Sequence, residues 1–406
     1  MNISFFLSQK LIPKNSRRVS KPVVVISIVS VALGICILLL TFAITAGFRN
    51  EIRNKVAGFG SHIEIVHFDN NYSYESSPVF IDAELISSLK QVEGVANVQP
   101  FTTKAGIVKT ENDVEGVVFK GIDMHYDSSF LVKNLVRGAF IALSDSAVSN
   151  EVLISETLAR KLQLDTGQKV TAFFIQNPVR QRVFVIKGIY STGMEVYDKT
   201  YLVCDMAHLQ KLNDWKSGCV GGLELLIDDF NRIDRVNDLV QDVLPYDLLS
   251  TTIIDRNRDI FDWIRLFDQN VFILVFLVII ISGASLISTQ LILSLEHIST
   301  IGLLKALGCS TSTIGNIFLF LSAKIVGWGL LFGNAVGLLL CWLQNHFRII
   351  TLNLDNYYVS YIPIDVQWWQ VVAVNLGTVL ISFAVLIIPA HFVARRTSAI
   401  AALRMD

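Results

Sequence analysis

The sequence predicts an integral membrane protein with four transmembrane α-helices, arranged one plus three, and a large extracytoplasmic α+β domain between the first and the second. Three observations predict it. Hydrophobic residues make up 52% of the 406 residues and mean hydropathy is +0.51, while charged residues are only 17%, against roughly 25% in an ordinary soluble domain. The apolar residues gather into four runs, each reaching the ~20 residues that a helix needs to cross a bilayer. The charges between those runs segregate by sign. This balance excludes a disordered chain, which needs low hydrophobicity and high net charge. With a formal net charge of −1, it also excludes a strongly basic nucleic-acid binder.

Residues 1–21 carry Lys10, Lys14, Arg17, Arg18 and Lys21 and no acidic residue. The first apolar run, 22–48, follows them. It exceeds the roughly 7–15 residues of a signal-peptide core and ends in Ala46-Gly47-Phe48-Arg49 rather than in a small-x-small cleavage site, so it reads as a retained anchor. The other runs are 270–295, 313–343 and 366–390. A connector at 296–312, a loop at 344–365 and a tail at 391–406 complete the membrane part. The positive-inside rule places 1–21 in the cytoplasm, and four spans return the tail, with Arg395, Arg396 and Arg404, to the same side. Residues 49–269 then lie outside. They hold 23 Lys and Arg against 31 Asp and Glu, a net of −8; the rest of the chain holds 11 against 4, a net of +7.

The outer segment reads as a soluble α+β domain. Residues 61–67 have strand character. Asp82 is placed to cap a helix whose face carries Leu85, Ile86, Leu89 and Val92, and Gly94 ends it. Residues 95–110 read as extended, a turn follows at 111–113, and a strand at 114–121. Ser155 is placed to cap a short helix with Leu158, Ala159 and Leu162. Strands at 169–175 and 182–190 flank a turn at Asn177-Pro178. A strand at 222–227 precedes an amphipathic helix that Asn231 would cap. Strand–helix–strand units on both sides of a β-rich stretch suggest a split βαβ platform with a subdomain inserted at about 101–215.

No catalytic or metal-binding constellation emerges. There is no Gly-x-x-x-x-Gly-Lys-Ser/Thr, Gly-x-Ser-x-Gly or His-Glu-x-x-His. His62 and His67, five apart, point to opposite faces of a strand. Cys204 and Cys219 face an oxidising compartment, but their spacing does not decide whether they pair. Lys324 sits about 11 residues, roughly 16 Å, into the third span. An ionisable group at that depth either pairs with a neighbouring helix or serves transport. Gly329, Gly333 and Gly337 recur every four residues and form a smooth ridge for close helix packing.

The connector between the second and third spans is the most informative stretch. It reads Glu296-His-Ile-Ser-Thr-Ile-Gly-Leu-Leu-Lys-Ala-Leu-Gly308. Ile298, Ile301, Leu304 and Leu307, at three-residue spacing, suggest an apolar stripe on a short helix, with polar positions at His297, Thr300 and Lys305. Such a helix rests on lipid or docks in a partner's groove.

This connector resembles the Glu-Arg-x-x-Glu-Ile-Gly-Ile-Leu-Lys-Ala-Leu-Gly signature of MacB/FtsX/LolC-type ABC transporter permeases, with His297 and Thr300 at the Arg and second Glu positions. The tail, Pro389-Ala-His-Phe-Val-Ala-Arg-Arg-Thr-Ser-Ala-Ile-Ala-Ala-Leu-Arg404, is similar to that family's ending, with Ile400 at its final Pro. Residues 357–369 and the stretch Val152-Leu-Ile-Ser-Glu-Thr-Leu-Ala-Arg-Lys-Leu162 look like the lipoprotein-releasing LolC/LolE branch.

The resemblance implies a permease subunit of an inner-membrane complex. It would lack enzymatic activity and a cofactor of its own; ATP and Mg would be bound by a separate LolD-like ATPase, docked on Glu296, His297, Ile298, Ile301, Gly302, Leu304, Lys305, Leu307 and Gly308. Implied partners are a second permease, identical or homologous, lipoprotein substrates and a periplasmic lipoprotein carrier. Phe42, Phe48, Val271 and Phe272 are candidate acyl-chain contacts near the outer ends of the first two spans. The hairpin of Gln176, Asn177, Pro178, Arg180 and Arg182 is the candidate carrier-docking element. Two alternatives follow from the same superfamily: a MacB-like exporter of peptides or toxins, and an FtsX-like signalling protein acting on a cell-wall hydrolase.

Overall fold

A computed structural model describes residues 20–70, 73–111, 113–144, 147–216, 218–353 and 357–396, with 20–21 and 388–396 described by backbone alone. The basic residues before 20 and the tail beyond 396 lie outside the described residues. The chain forms two compact units. One contains Met1–Asn50, Trp263–Thr351 and Tyr361–Asp406; the other contains Glu51–Asp262 and Leu352–Ser360.

The elements begin with α1 (Ser20–Gly60), β1 (Ile63–His67), β2 (Val79–Phe80), α2 (Ala83–Gln91), β3 (Val95–Lys109), β4 (Val114–Ile122), α3 (Ser129–Lys133), β5 (Leu135–Gly138) and β6 (Glu151–Ser155). They continue with α4 (Glu156–Lys161), β7 (Lys169–Phe174), β8 (Arg180–Tyr190), α5 (Glu195–Asp198), β9 (Tyr201–Asp205), α6 (Met206–Leu212), β10 (Cys219–Val220) and β11 (Gly222–Ile227). Last come α7 (Ile233–Val243), β12 (Leu248–Thr252), α8 (Ile253–Arg256), α9 (Arg258–Glu296), α10 (Ile298–Ala306), α11 (Thr311–Phe347) and α12 (Trp368–Arg396).

Four helices, α1, α9, α11 and α12, are long and apolar enough to span a membrane. They outrun the apolar stretches that the sequence marks. The 41 residues of α1 make about 61 Å of helix, twice a hydrocarbon core of ~30 Å. A helix stops where its terminal backbone groups find other partners, not where lipid ends. Ser310 supplies such a stop, accepting from Thr313 N at the start of α11.

Within the membrane unit, Gly329, Gly333 and Gly337 are buried and face α1. A Cβ on Gly329 would lie 2.6 Å from Val31 Cγ1, and one on Gly333 2.7 Å from the Ala32 carbonyl oxygen. The ridge is thus filled within the chain. Side-chain hydrogen bonds supplement this packing. Asn334 and Asn375 exchange amide hydrogen bonds at 2.7 and 2.9 Å between α11 and α12. Ser27 bonds Thr289, and Ser322 donates to Gln290. Lys324 is half-buried and makes no ion pair among the described residues. Beyond α11, Asp365 N donates to Ala43 O and its carboxylate accepts from Asn50 Nδ2 at 2.6 Å.

The outer unit is built on one ten-stranded sheet in the order β12-β1-β11-β3-β4-β9-β6-β8-β5, with β7 pairing β3 and β8. β2 and β10 form a separate pair. The 15-residue β3 runs unbroken through position 101, where the sequence suggests an inserted subdomain begins, so that boundary is not a break in the sheet. The core around β4, β6, β8 and β9 is apolar, with Phe119, Phe174, Phe184, Leu202 and Cys204 fully buried. Cys204 and Cys219 are free thiols.

Asp82 and Ser155 cap α2 and α4 by accepting from the amides of Leu85 and Leu158. Asn231 does not cap α7. A 3-10 turn, Phe230–Arg232, precedes that helix, so the capping side chain is Asp229, which accepts from Asn231 N at 2.9 Å. The outer edge of β12 is closed by Gln241, whose amide donates to Leu248 O and accepts from Ser250 N.

Candidate functional site

Three of the membrane helices enclose an apolar cleft of about 240 Å³. On α1 the lining residues include Gly34, Leu38 and Phe42; on α9, Val278 and Ser282; on α12, Trp369 and Gly377. Gly34 draws α1 and α9 together, since a Cβ there would lie 2.8 Å from Ser282 Oγ. Gly377 does the reverse. A Cβ on it meets nothing within 4 Å, so the glycine leaves room. Among the polar wall residues, Thr378 Oγ1 donates to Val374 O in its own helix at 2.8 Å. Walls of this kind offer shape and apolar surface, which suits a hydrocarbon chain.

Of the four residues singled out for acyl contact, the structure brings only Phe42 to the cleft. Phe48 is buried and stacks on Phe267, with ring centroids 5.4 Å apart. At about 100° per residue it is turned some 240° from Phe42 around α1. Val271 and Phe272 lie a turn beyond Val275, the outermost α9 residue in the wall, and Phe272 is 74% exposed. Sequence reasoning missed Gly34, Gly377 and Trp369. An all-apolar span has no polar face to show which side turns inward.

The connector forms α10, and its ends are locally determined. Gly308 adopts φ +86°. Its N–H bonds Lys305 O at 3.0 Å, and that of Cys309 bonds Leu304 O at 2.9 Å, the paired bonds of a Schellman stop. The His297 ring bonds Leu293 O at 2.9 Å, tying it to the end of α9. The apolar row does not form one face. Ile301 and Gly302 are buried, Ile298, Leu304 and Lys305 are half-buried, and Glu296 and Leu307 are exposed. Positions three apart slip about 60° per step on a helix of 3.6 residues per turn, so Leu307 emerges opposite Ile298. Ile301 and Leu304 pack on the bundle. The outward apolar pair is Leu303 and Leu307, 54% and 75% exposed and four residues apart. Leu303 was legible from that spacing but masked by the three-residue pattern.

The β7–β8 hairpin is anchored by its polar residues. Arg180 makes two bonds to the Asp214 carboxylate, at 2.9 and 2.6 Å, and reaches the carbonyls of Lys211 and Leu212 at 3.0 Å. The Arg180 hydrogen bond holds the Asp214 carboxyl below its ordinary value. Gln176 donates to Leu212 O, and Arg182 to Gln181 O. What the hairpin of Asn177 and Pro178 presents outward is Ile175 and Val179, 74% and 62% exposed.

Two family profiles match the chain. The MacB-like periplasmic core domain covers residues 24–243, and the FtsX-like permease C-terminal region covers 272–397. The chain is 25% identical over 391 residues to the lipoprotein-releasing system transmembrane protein LolC of Xylella fastidiosa, covering 91% of each protein. It is 23% identical to LolC of Neisseria meningitidis, covering 95% of this chain and 94% of that one. To LolE of Haemophilus influenzae it is 21% identical, covering 97% and 98%. Among solved structures, the periplasmic region of MacB from Actinobacillus actinomycetemcomitans aligns with a TM-score of 0.34 at 15% identity, over 50% of this chain and 92% of that one. The extracellular domain of the transporter YknZ aligns at 0.33 and 15%, over 47% and 99%.

Proposed function

Because the chain belongs to the LolC/LolE-type permeases, with a MacB-like periplasmic core domain and an FtsX-like C-terminal region, we propose that it couples ATP hydrolysis by a separate ATPase to the release of lipoproteins from the inner membrane. It is an inner-membrane protein with a periplasmic domain. In this reading both termini are cytoplasmic, and a second permease, identical or homologous, completes the complex.

The observation that carries the reading is the apolar cleft between α1, α9 and α12. A lipoprotein's acyl chains need a lateral apolar slot rather than a polar pore, and they need not cross the bilayer. The ATPase docks on the outward pair Leu303 and Leu307 of α10. Closure of two ATPase subunits pushes α10, and α9 and α11, which flank it in the chain, carry the movement outward. The slot narrows and the acyl chains leave. The apolar tip of the β7–β8 hairpin is the candidate contact for a periplasmic carrier.

Gly377→Phe tests the cleft. Its ring enters open space, so the permease folds and retains its ATPase, while lipoprotein release from membrane vesicles falls more than about tenfold, the equivalent of about 1.4 kcal/mol. Release at the native rate would sink the assignment. Replacing Leu303 and Leu307 together by Glu tests docking, and the ATPase should no longer co-purify. Depletion separates the alternatives: stranded lipoproteins support release, toxin sensitivity an exporter, and chained cells hydrolase signalling.

A further inference from the structure

Lys324 carries a charge inside a span and has no part in the function proposed above. It is half-buried and makes no hydrogen bond or ion pair among the described residues. Counted from the start of its apolar run it lies about 16 Å deep, where an unpaired ammonium is costly. The exposed side of α11 sets a different depth. Its exposed residues are polar as far as Asn316, apolar from Phe320 to Trp342, and polar again at Asn345 and His346. That apolar band rises about 33 Å, close to the ~30 Å of a hydrocarbon core. The 37-residue helix, about 55 Å long, therefore begins outside the hydrocarbon, on the side of α10. Trp342, 56% exposed and stacked on His346, marks the far boundary, as interfacial tryptophans do.

Lys324 is then one helical turn, about 6 Å, inside the near boundary. Side chains on a helix lean toward its N-terminus, which here lies beyond that boundary. The four-carbon stem of a lysine covers the distance, so the ammonium reaches the headgroups while the stem stays in hydrocarbon. Beside it the helix surface has a notch. Gly327, three residues on, is exposed, and a Cβ there meets nothing within 4 Å. Trp328, four residues on, is 53% exposed and stacks on Phe332 with ring centroids 5.8 Å apart. The polar group nearest in sequence turns away: Ser322, about 200° round the helix, donates to Gln290 of α9.

These features select a ligand class. A cation at headgroup level, with no carboxylate against it among the described residues, takes its counter-ion from the bilayer, and that counter-ion is a phosphate. From the same phosphate, acyl chains run inward past Gly327. We infer that Lys324, Gly327 and Trp328 hold one phospholipid of the leaflet beside α10. The ammonium binds the phosphate, and an acyl chain lies over Gly327 against the Trp328 ring. Headgroups with a net negative charge are preferred, because the ammonium of a zwitterionic headgroup competes with Lys324 for the same phosphate. A lipid held there fixes the height of α11 in the bilayer at the end that follows α10.

The test uses the full-length chain in vesicles of equal phosphatidylglycerol and phosphatidylethanolamine. A photoreactive benzoylphenylalanine replaces Trp328 in one sample and Leu339, 54% exposed near the far boundary, in another. Mass spectrometry of the crosslinked lipid identifies its headgroup. Phosphatidylglycerol should be enriched about fivefold at position 328 over position 339. Lys324→Gln and Lys324→Met, two neutral variants, should each bring the two positions to the same ratio, while Lys324→Arg keeps the enrichment. Gly327→Leu, which fills the notch, should lower the lipid crosslink at 328 and leave that at 339 unchanged. Equal ratios at the two positions in the native chain overturn the inference, as does an enrichment that survives either neutral variant. An enrichment lost when inorganic phosphate replaces chloride at equal ionic strength also overturns it, because the site would then hold a soluble anion.

Discussion

Between the helices of the membrane unit, close approaches are made at residues with no side chain. In the outer unit, by contrast, the sheet buries whole charged side chains. Gly329 and Gly333 bring α11 to within contact of Val31 and Ala32, whereas Lys120 and Glu224 are 4% and 3% exposed and meet at 2.7 Å. The difference follows from the solvent. Lipid tails give helices no hydrophobic reason to associate, so dispersion between smooth surfaces and a few amide bonds must hold them. In water, burial of the apolar sheet core drives folding, and that margin tolerates a desolvated ion pair whose geometry is complete.

The largest effect should come from breaking the charged side of this comparison. Burial alone would pull the Lys120 ammonium down, yet the Glu224 carboxylate and Tyr126 leave it above its ordinary value. Lys120→Met strands a buried carboxylate and should cost about 3–5 kcal/mol, read as a lower melting temperature of the detergent-solubilised chain. Adding Glu224→Gln should restore most of it. A single variant as stable as the native chain would remove the buried ion pair from this account.

Next comes the glycine ridge. Gly333→Val drives a branched side chain against the Ala32 backbone and should cost about 1–3 kcal/mol. Gly327→Val is the control, because a Cβ there meets nothing within 4 Å. Equal losses at the two sites would mean that helix propensity, not close approach, governs α11.

The outer unit also has an acid response that the bundle should lack. His62 accepts from Ile227 N at 3.2 Å, and burial lowers its imidazole to about 4. The unfolded chain holds that proton with a pKa near 6.5, so protonation favours unfolding. The stability this neutral ring contributes is complete above pH ~6.5 and is lost as pH falls toward 4, on the order of 1–2 kcal/mol. Melting temperatures between pH 7.5 and 4.5 should fall less steeply in His62→Asn, where an amide oxygen can take the same hydrogen bond. Parallel slopes would exclude His62 as the source. The smallest change should be Asn375→Leu, which unpairs Asn334 across α11 and α12 and should cost about 0.6 kcal/mol, up to roughly 1.7.

Legibility in the sequence followed the range of the interaction. The caps at Asp82 and Ser155 and the ridge of Gly329, Gly333 and Gly337 are set by residues within a turn or two of one another, and pattern reading reaches them; the cap at Ser310 and the stop at Gly308 are as local, but were not singled out from the sequence. The reading of α10 failed by one step, because a three-residue period slips around a helix of 3.6 residues per turn. That hid Leu303 and split the predicted stripe. The cleft was less legible still. Phe42, Phe48, Val271 and Phe272 are equally apolar, and apolarity in a span does not say which neighbour a residue meets.

The sequence by itself determined four spans, the segregation of charge between them, the outer domain and the caps at Asp82 and Ser155, though not the one at Asp229. These depend on composition and on partners a few residues away. Only the tertiary structure decided that Gly377 faces open space while Gly34 meets Ser282, and that Lys120 finds Glu224 104 residues further on. Such pairings depend on which distant segments the packed helices and the sheet bring together. No local period in the chain encodes them.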